Sequence, residues 1–290
     1  MLMIVFGVAA LSLAAVLVPL VASVSLVFRV SGVVNFGAGY VAVFASAACA
    51  TWTARTNAAV GVLATLLAAV LIGAVTYFAA ILPAQKRGVS AIGLTLASLG
   101  VGLIINYGTR TIFGGGPTVI QPWVPGTVTI GDYQTATQRF VVIGLSLLLL
   151  AGLWLLFDRT IMGRMFAAVA YDRDLSGMYG LRASRFELIA WIASSVCVAI
   201  GGLFQASLAN VSVEVAPTLL VLSLVGAIIG GLDNLFTAIG GALVTGLAVA
   251  AAEQLVGPGY ELVTLFAVLS IVLLFRPHGL FAFRGSAERV

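Results

Sequence analysis

Charge is scarce in this chain. Of its 290 residues, 8% are Asp, Glu, Lys or Arg, where a soluble domain carries about 25%. Together with an apolar content of 61%, this excludes a soluble enzyme, a nucleic-acid-binding domain and a disordered chain, because a soluble fold must still present polar surface to water. An outer-membrane barrel is excluded as well, since its strands alternate polar and apolar residues. Metal-ligating residues are equally few. Cys49 and Cys197 fall inside apolar runs and read as small hydrophobes, and the single histidine, His278, has no Cys or carboxylate cluster around it. No metal site is expected. Lysine occurs once, Lys86, and there is no G-x-x-x-x-G-K-[ST] phosphate loop, so the chain does not bind and hydrolyse ATP by that route.

What is present is a series of hydrophobic segments, at 2–28, 33–53, 58–82, 89–112, 140–157, 186–208, 217–231, 237–252 and 262–275. Each is near or somewhat under the ~20 residues that cross a bilayer core. The expected fold is therefore all-α: a polytopic helical membrane protein of eight or nine spans, forming one transmembrane domain over 1–290. The first run is too long for a signal-peptide core and reads as a retained helix. Two short ones, 217–231 and 237–252, are expected as broken or short helices. Each is a full span or a re-entrant element whose backbone must be satisfied by protein or a water-filled cavity.

Cytoplasmic loops are enriched in Lys and Arg. Placing 158–185, the turn 83–88 and the tail after 275 inside puts eleven basic residues in and three out (Arg55, Arg110 and Arg139). Nine crossings then give an outside N-terminus and a cytoplasmic C-terminus. The stretch 113–137, with Gly114-Gly115-Gly116-Pro117, Pro122 and Pro125-Gly126, becomes an external, ordered loop. Aromatic residues such as Trp52, Tyr77, Trp154, Trp191 and Tyr260 fall near segment ends, where interfacial anchors sit.

The charges that remain also limit the energy source. Every carboxylate lies in a loop or near a segment end, which disfavours a proton- or sodium-coupled carrier with an ionisable group at membrane depth. Sodium sites built from carbonyls would escape this test. A channel lacks its carbonyl-filter repeat or acidic ring. Elimination leaves a passive pore driven by another subunit.

Three stretches carry the functional signal. Ser31-Gly32-Val33-Val34-Asn35-Phe36-Gly37-Ala38-Gly39-Tyr40 opens a membrane helix with an asparagine and closely spaced glycines. It reads either as a point where a polar solute meets unwound backbone or as a packing seam of small residues. Gly226 and Gly230-Gly231-Leu232-Asp233-Asn234, continuing to Gly240-Gly241, mark a break between two short apolar segments, and such interrupted helices point to a solute path. The stretch 162–180 reads as a short cytosolic helix followed by Asp172-Arg173-Asp174 and Gly180. It either docks in a partner's groove or lies on the anionic leaflet. Asn106, Gln205 and Gln254 are neutral amides in apolar surroundings and read first as helix–helix hydrogen-bonding residues.

At these stretches the sequence resembles the permease subunits of branched-chain amino acid ATP-binding-cassette importers, a broad family that includes ribose-type sugar permeases. The matching residues are Val34-Asn35-Phe36 with Gly37 and Gly39, Met162-Gly163-Arg164 leading to Ala168-Val169-Ala170, Asp172 and Gly180-Leu181, then Gly230-Gly231-Leu232 with Gly240-Gly241, and Leu274-Phe275-Arg276-Pro277-His278-Gly279-Leu280-Phe281. The family often has Ala-His where Gly37-Ala38 stand, and Gly-Ser then Pro-Gly where Asp233-Asn234 and Phe236-Thr237 stand. The resemblance implies a bacterial inner-membrane subunit with no cofactor and no enzymatic activity of its own. It also implies a second permease, two cytoplasmic ATPases that bind the ATP, an external solute-binding protein, contact with membrane lipid and none with nucleic acid. The implied substrate path is Asn35, Phe36, Gly37, Gly39, Tyr40, Asn106, Gly230, Gly231, Asp233 and Asn234, and the implied ATPase-coupling residues are Arg164, Ala168, Asp172, Asp174 and Gly180. Branched-chain or other neutral amino acids are the implied solutes. Urea, short amides and sugars remain alternatives within the architecture, and a stand-alone ion-coupled carrier is an alternative outside it.

Overall fold

A computed structural model describes residues 2–130, 133–232, 234–257, 259–277 and 279–281. In chain order the elements are α1 (Leu2–Ser31), α2 (Ala38–Arg55), α3 (Ala58–Thr76), α4 (Leu82–Lys86), α5 (Ala91–Phe113), β1 (Thr127–Ile130), β2 (Tyr133–Ala136), α6 (Thr137–Trp154), α7 (Ile161–Tyr171), α8 (Arg173–Met178), α9 (Ala183–Leu208), α10 (Ala216–Gly230), α11 (Leu235–Leu255) and α12 (Glu261–Phe275). π-helical turns join α3 to α4 (Tyr77–Ile81) and extend α6 (Leu155–Arg159). Pro83 explains the first of these. It has no N–H for the carbonyl of residue 79, and the ladder slips so that the Leu82 N–H bonds Tyr77 O, five residues back.

The helices form an inner and an outer set. In their most apolar stretches, 67% of α9 and 61% of α1 and α11 lie buried within the chain, against 17% for α5 and 22% for α6 and the α3–α4 helix. The exposed faces of the outer set are apolar: Leu63, Leu67 and Leu71 on α3, Ile92, Leu96 and Leu103 on α5, Leu147 and Leu148 on α6. Such faces are stable only against lipid. The chain is a multi-pass helical membrane protein.

Because lipid is as apolar as leucine, the inner helices are held by close packing of small residues and interhelical hydrogen bonds. A Cβ on Gly202 of α9 would collide with the carbonyl oxygen of Ala42 on α2, and the Ser46 hydroxyl donates to Gly202 O across the same seam at 2.9 Å. A Cβ on Gly241 of α11 would strike Gly226 O and the backbone of Gly230 on α10. Helix α1 runs antiparallel to α9 and to α11. Its Leu20 fills the notch at Gly201, Ala14 sits against Gly246, and the Ser25 hydroxyl donates to Leu232 O at 3.1 Å.

The spans differ from expectation in three respects. Seven helices among the described residues are long and apolar enough to cross a membrane, including Val213–Gly230 and Leu235–Leu255. The stretches at 217–231 and 237–252 are thus lengthened, by a 3-10 turn before α10 and by polar residues at the end of α11 that hydropathy alone discounts. The two segments that do not qualify are α2, whose 18 residues are rich in Ala, Ser and Thr and lie enclosed by other helices, and α12, which has 15. The loop at 113–137 is more than a connector. β1 and β2 pair antiparallel with Thr127 opposite Ala136, and Thr118 bridges Val211. Finally, Trp191 and Tyr77 are not interfacial anchors, because each is only 1% exposed between α1, α3 and α9. Both cysteines are buried and free.

These contacts predict that Gly202→Val destabilises the detergent-held protein by about 1–3 kcal/mol through overpacking. Gly100, with no atom near its would-be Cβ, should tolerate alanine and gain about 0.5–1 kcal/mol of helix propensity. Unfolding titrations of the two variants against the parent chain check both.

Candidate functional site

Two ends of the bundle are distinguishable by their elements: a hairpin end, with β1, β2 and the first turn of α6, and an opposite end with α7 and α8. Arg55, Arg110 and Arg139 belong to the hairpin end. Arg29, Lys86, Arg87, Arg159, Arg164, Arg173, Arg182, Arg185 and Arg276 belong to the α7 end. Asp132, Asp233, His278 and the tail residues Arg284, Glu288 and Arg289 lie outside the described residues.

Helix α1 stops at Ser31, and Gly32, at φ +65°, turns the chain back into the bundle. Residues 33–37 are extended or in turns, so their backbone groups need partners. Helix α5 supplies two hydroxyls: Val34 N–H donates to Thr95 Oγ1 at 3.3 Å and Phe36 N–H to Ser98 Oγ at 3.0 Å. Asn35 is 4% exposed; its Oδ1 accepts from Gly37 N–H at 3.0 Å and its Nδ2 donates to Ser194 Oγ on α9 at 3.2 Å. Ser194 is eleven residues into α9, about 17 Å along its axis, so α2 begins inside the bundle rather than at its face. Gly37 lies against Ser98 O and Gly102 of α5, and Tyr40 covers Gly102. A Cβ on Gly39 would collide with Ala216 O in the first turn of α10. Asn35 is thus engaged through both ends of its amide, in the turn before α2 and in an interhelical tie to α9. Asn106, a turn beyond Gly102, differs, because its shielded Oδ1 has no partner among the described residues.

The second stretch forms the hairpin between α10 and α11. Gly231, at φ +107°, ends α10. Asn234 Oδ1 caps α11 through Phe236 N–H at 2.9 Å, and the Thr237 hydroxyl donates to Asn234 O at 2.9 Å. The segment after α12 folds onto this hairpin: Leu280 N–H donates to Ile229 O at 2.7 Å, and Gly279 packs on Gly231. Gly39 meets the first turn of α10 and Gly230 ends it, so these two glycines stand about 20 Å apart along that helix.

At the α7 end, Thr160 caps α7 through Gly163 N–H at 3.2 Å, and Asp172 caps α8 through Leu175 N–H at 2.8 Å. Gly163, Phe166 and Val169 face inward. Phe166 lies edge-on to Phe157 at 5.3 Å and to Phe186 of α9 at 5.6 Å. Arg164, Ala168, Asp172 and Gly180 are exposed, and Asp174 sits in α8. The inward face of α7 is thus spent on its own chain, while Ile161, Met162 and Tyr171 are exposed. One carboxylate near a helix end, Glu187, is fully buried, with Tyr77 donating to its Oε2 at 3.3 Å.

Sequence reasoning missed two cavities towards the hairpin end. One, of about 580 Å³, lies beneath β2 and is lined by Gln134, Gln138, Arg139 and Asn210. The other, of about 280 Å³, lies between α1, α10 and α11 and is lined by Gln205, Thr218, Glu253 and Glu261 with Leu17 and Leu222. Gln205, expected to bond another helix, lines this cavity and makes no side-chain hydrogen bond among the described residues. The only advance signal was the presence of amides and acids at segment ends, which nothing in the one-dimensional pattern brings together.

Residues 6–275 match the family described as branched-chain amino acid transport system / permease component. The chain is 21% identical over 212 residues to the high-affinity branched-chain amino acid transport system permease protein BraD of Pseudomonas aeruginosa, covering 70% of this chain and 68% of that one. A solved structure, PsaBC from Streptococcus pneumoniae in complex with Fab, aligns with 92% of this chain and 91% of its own at 14% identity and a TM-score of 0.48.

The tie between Asn35 and Ser194 has a measurable signature. Asn35→Ala should cost about 1–3 kcal/mol through the loss of its two buried hydrogen bonds. A double-mutant cycle with Ser194→Ala should return a coupling of at least about 0.5 kcal/mol. Additive losses would show that the two side chains act independently.

Proposed function

The chain belongs to the branched-chain amino acid transport system permease family, and from that membership we propose that it forms, with a second permease copy or relative, the path of an importer for branched-chain or other neutral amino acids. Two ATPase subunits on the α7 side would drive it, and a solute-binding protein would deliver to the hairpin side. On this reading the α7 end is the cytoplasmic face of a bacterial inner membrane and holds the C-terminus. The clustering of basic residues at that end supports it.

The observation that carries the reading is the two-faced α7. Its inward Phe166 is clamped between Phe157 and Phe186, and its outward face offers Arg164 and Ala168. A partner pressing on the outward face moves a helix joined rigidly to α6, through the π turn at Leu155–Arg159, and to α9. The few ionised groups suit the same scheme, because the chain carries no phosphate loop of its own and draws its driving force from elsewhere. Asn106 and the backbone around Phe36, Gly37 and Gly231 are the path residues under this proposal.

The test is reconstitution with partner ATPases. Arg164→Glu and Ala168→Trp, both on an exposed surface, should lower ATP-driven uptake of L-leucine at least about tenfold while leaving the protein's melting temperature unchanged. Gradient-driven uptake by the chain alone, without any ATPase, would establish the stand-alone carrier instead.

A further inference from the structure

Helix α6 starts without a side-chain cap, because Ala136 stands at its N-cap position. The positive end of its dipole and the guanidinium of Arg139, in its first turn, therefore share one small region. The larger cavity, of about 580 Å³, opens beside them, bounded by β2, the first turn of α6 and the end of α9. Arg139 is half-buried on its wall and forms no ion pair among the described residues. Glu253 acts on Arg139 from beyond ion-pair distance and is not part of this lining.

The polar part of this wall is made of donors. Gln138 is 1% exposed. Its Oε1 accepts from Trp123 N–H at 3.0 Å and Val124 N–H at 3.4 Å, which fixes the amide and leaves Nε2 as its other end. That Nε2 is shielded and has no acceptor among the described residues. A buried donor without a partner costs free energy that an acceptor entering against it recovers. Asn210, just after α9, and Gln134, on β2, add two more amides. No carboxylate is among the described lining residues. Donors on three elements suit an anion whose oxygens point several ways, as those of a tetrahedral phosphate do and the two coplanar oxygens of a carboxylate do not.

We propose that this cavity is a phosphate site, in which Arg139, Gln138, Gln134 and Asn210 hold a phosphate group carried by a membrane lipid or free in solution. The level of the cavity favours the lipid. Thr137 begins one apolar span and Leu208 ends another, so the space between them lies at a membrane surface, where headgroups are and where arginine side chains reach them. Further along α6, Leu147 and Leu148 are exposed on its lipid face, against which acyl chains can run. A phosphate held there ties β2 and α6 to the end of α9. The inference stands apart from the transport reading, because no transported solute needs to enter this space.

The test strips the full chain of lipid in detergent and adds phosphatidylglycerol, diacylglycerol with the same acyl chains, or inorganic phosphate. Native mass spectrometry counts bound copies, and the melting temperature is followed in parallel. Phosphatidylglycerol should bind saturably and raise the melting temperature, and diacylglycerol should do neither. Arg139→Gln should weaken phosphatidylglycerol about tenfold, with most of the loss recovered in Arg139→Lys. Gln138→Glu keeps an acceptor for the Trp123 and Val124 N–H groups but replaces the donor, and should weaken it at least as much. Arg110→Gln removes an equal charge at the same end, away from the cavity, and should leave the affinity unchanged. If Gln138→Glu lowers the melting temperature of the lipid-free protein, the two Arg139 variants carry the test. Displacement of the lipid by millimolar inorganic phosphate, with the same variant pattern, makes free phosphate the ligand; no displacement makes it the lipid. Equal binding of diacylglycerol, equal losses in Arg110→Gln and Arg139→Gln, unchanged affinity in Arg139→Gln, or displacement by L-leucine would each overturn the proposal.

Discussion

A helix that stops inside an apolar bundle leaves N–H and C=O groups where no bulk water reaches them, and each must find a partner in the protein. Between Ser31 and Ala38 this requirement shapes everything nearby. Thr95 and Ser98 on α5 take the amides of Val34 and Phe36, and Asn35 takes that of Gly37 while reaching Ser194 on α9. The break therefore joins three helices. It sets α2 at a depth where Gly39 can meet the start of α10 and Gly202 can meet Ala42.

With hydrogen bonds fixing the break, glycine, alanine and serine fix the rest. Backbones approach so closely at Gly39, Gly202, Gly230 and Gly241 that a single methyl group would force helices apart. This inner set is stiff. The outer helices α3, α5 and α6 present leucine and isoleucine to lipid and are held along one face only. Between the two sets, α7 is gripped by aromatic edges from the end of α6 and the start of α9. A displacement at α7 is thus passed to one outer and one inner helix together, which is the property that the proposed coupling to an ATPase needs.

Much of this was legible from residue types alone. The helical class, the enclosed cysteines and the short polar-faced helix at 161–171 follow from hydropathy, apolar context and spacing, because each depends on local chemistry. The stretches around Asn35 and Gly231 were also legible as breaks. Their purpose was not. Asn35 offers a donor and an acceptor in any context, and only Gly37 and Ser194, brought up by the fold, show how both are used.

The sequence by itself determined that the chain lies in a bilayer, and that its charges gather at helix ends, because the cost of placing charge in hydrocarbon is paid residue by residue. Tertiary structure alone decided which polar groups are spent and which remain open. Gln138 and Arg139 on α6 line one cavity and Glu253 on α11, more than a hundred residues further along, lines another, an arrangement set by the packing of both helices against α1. A side chain's type sets what it can bond, but its neighbours set what it does bond, and neighbours across helices are not written in one-dimensional order.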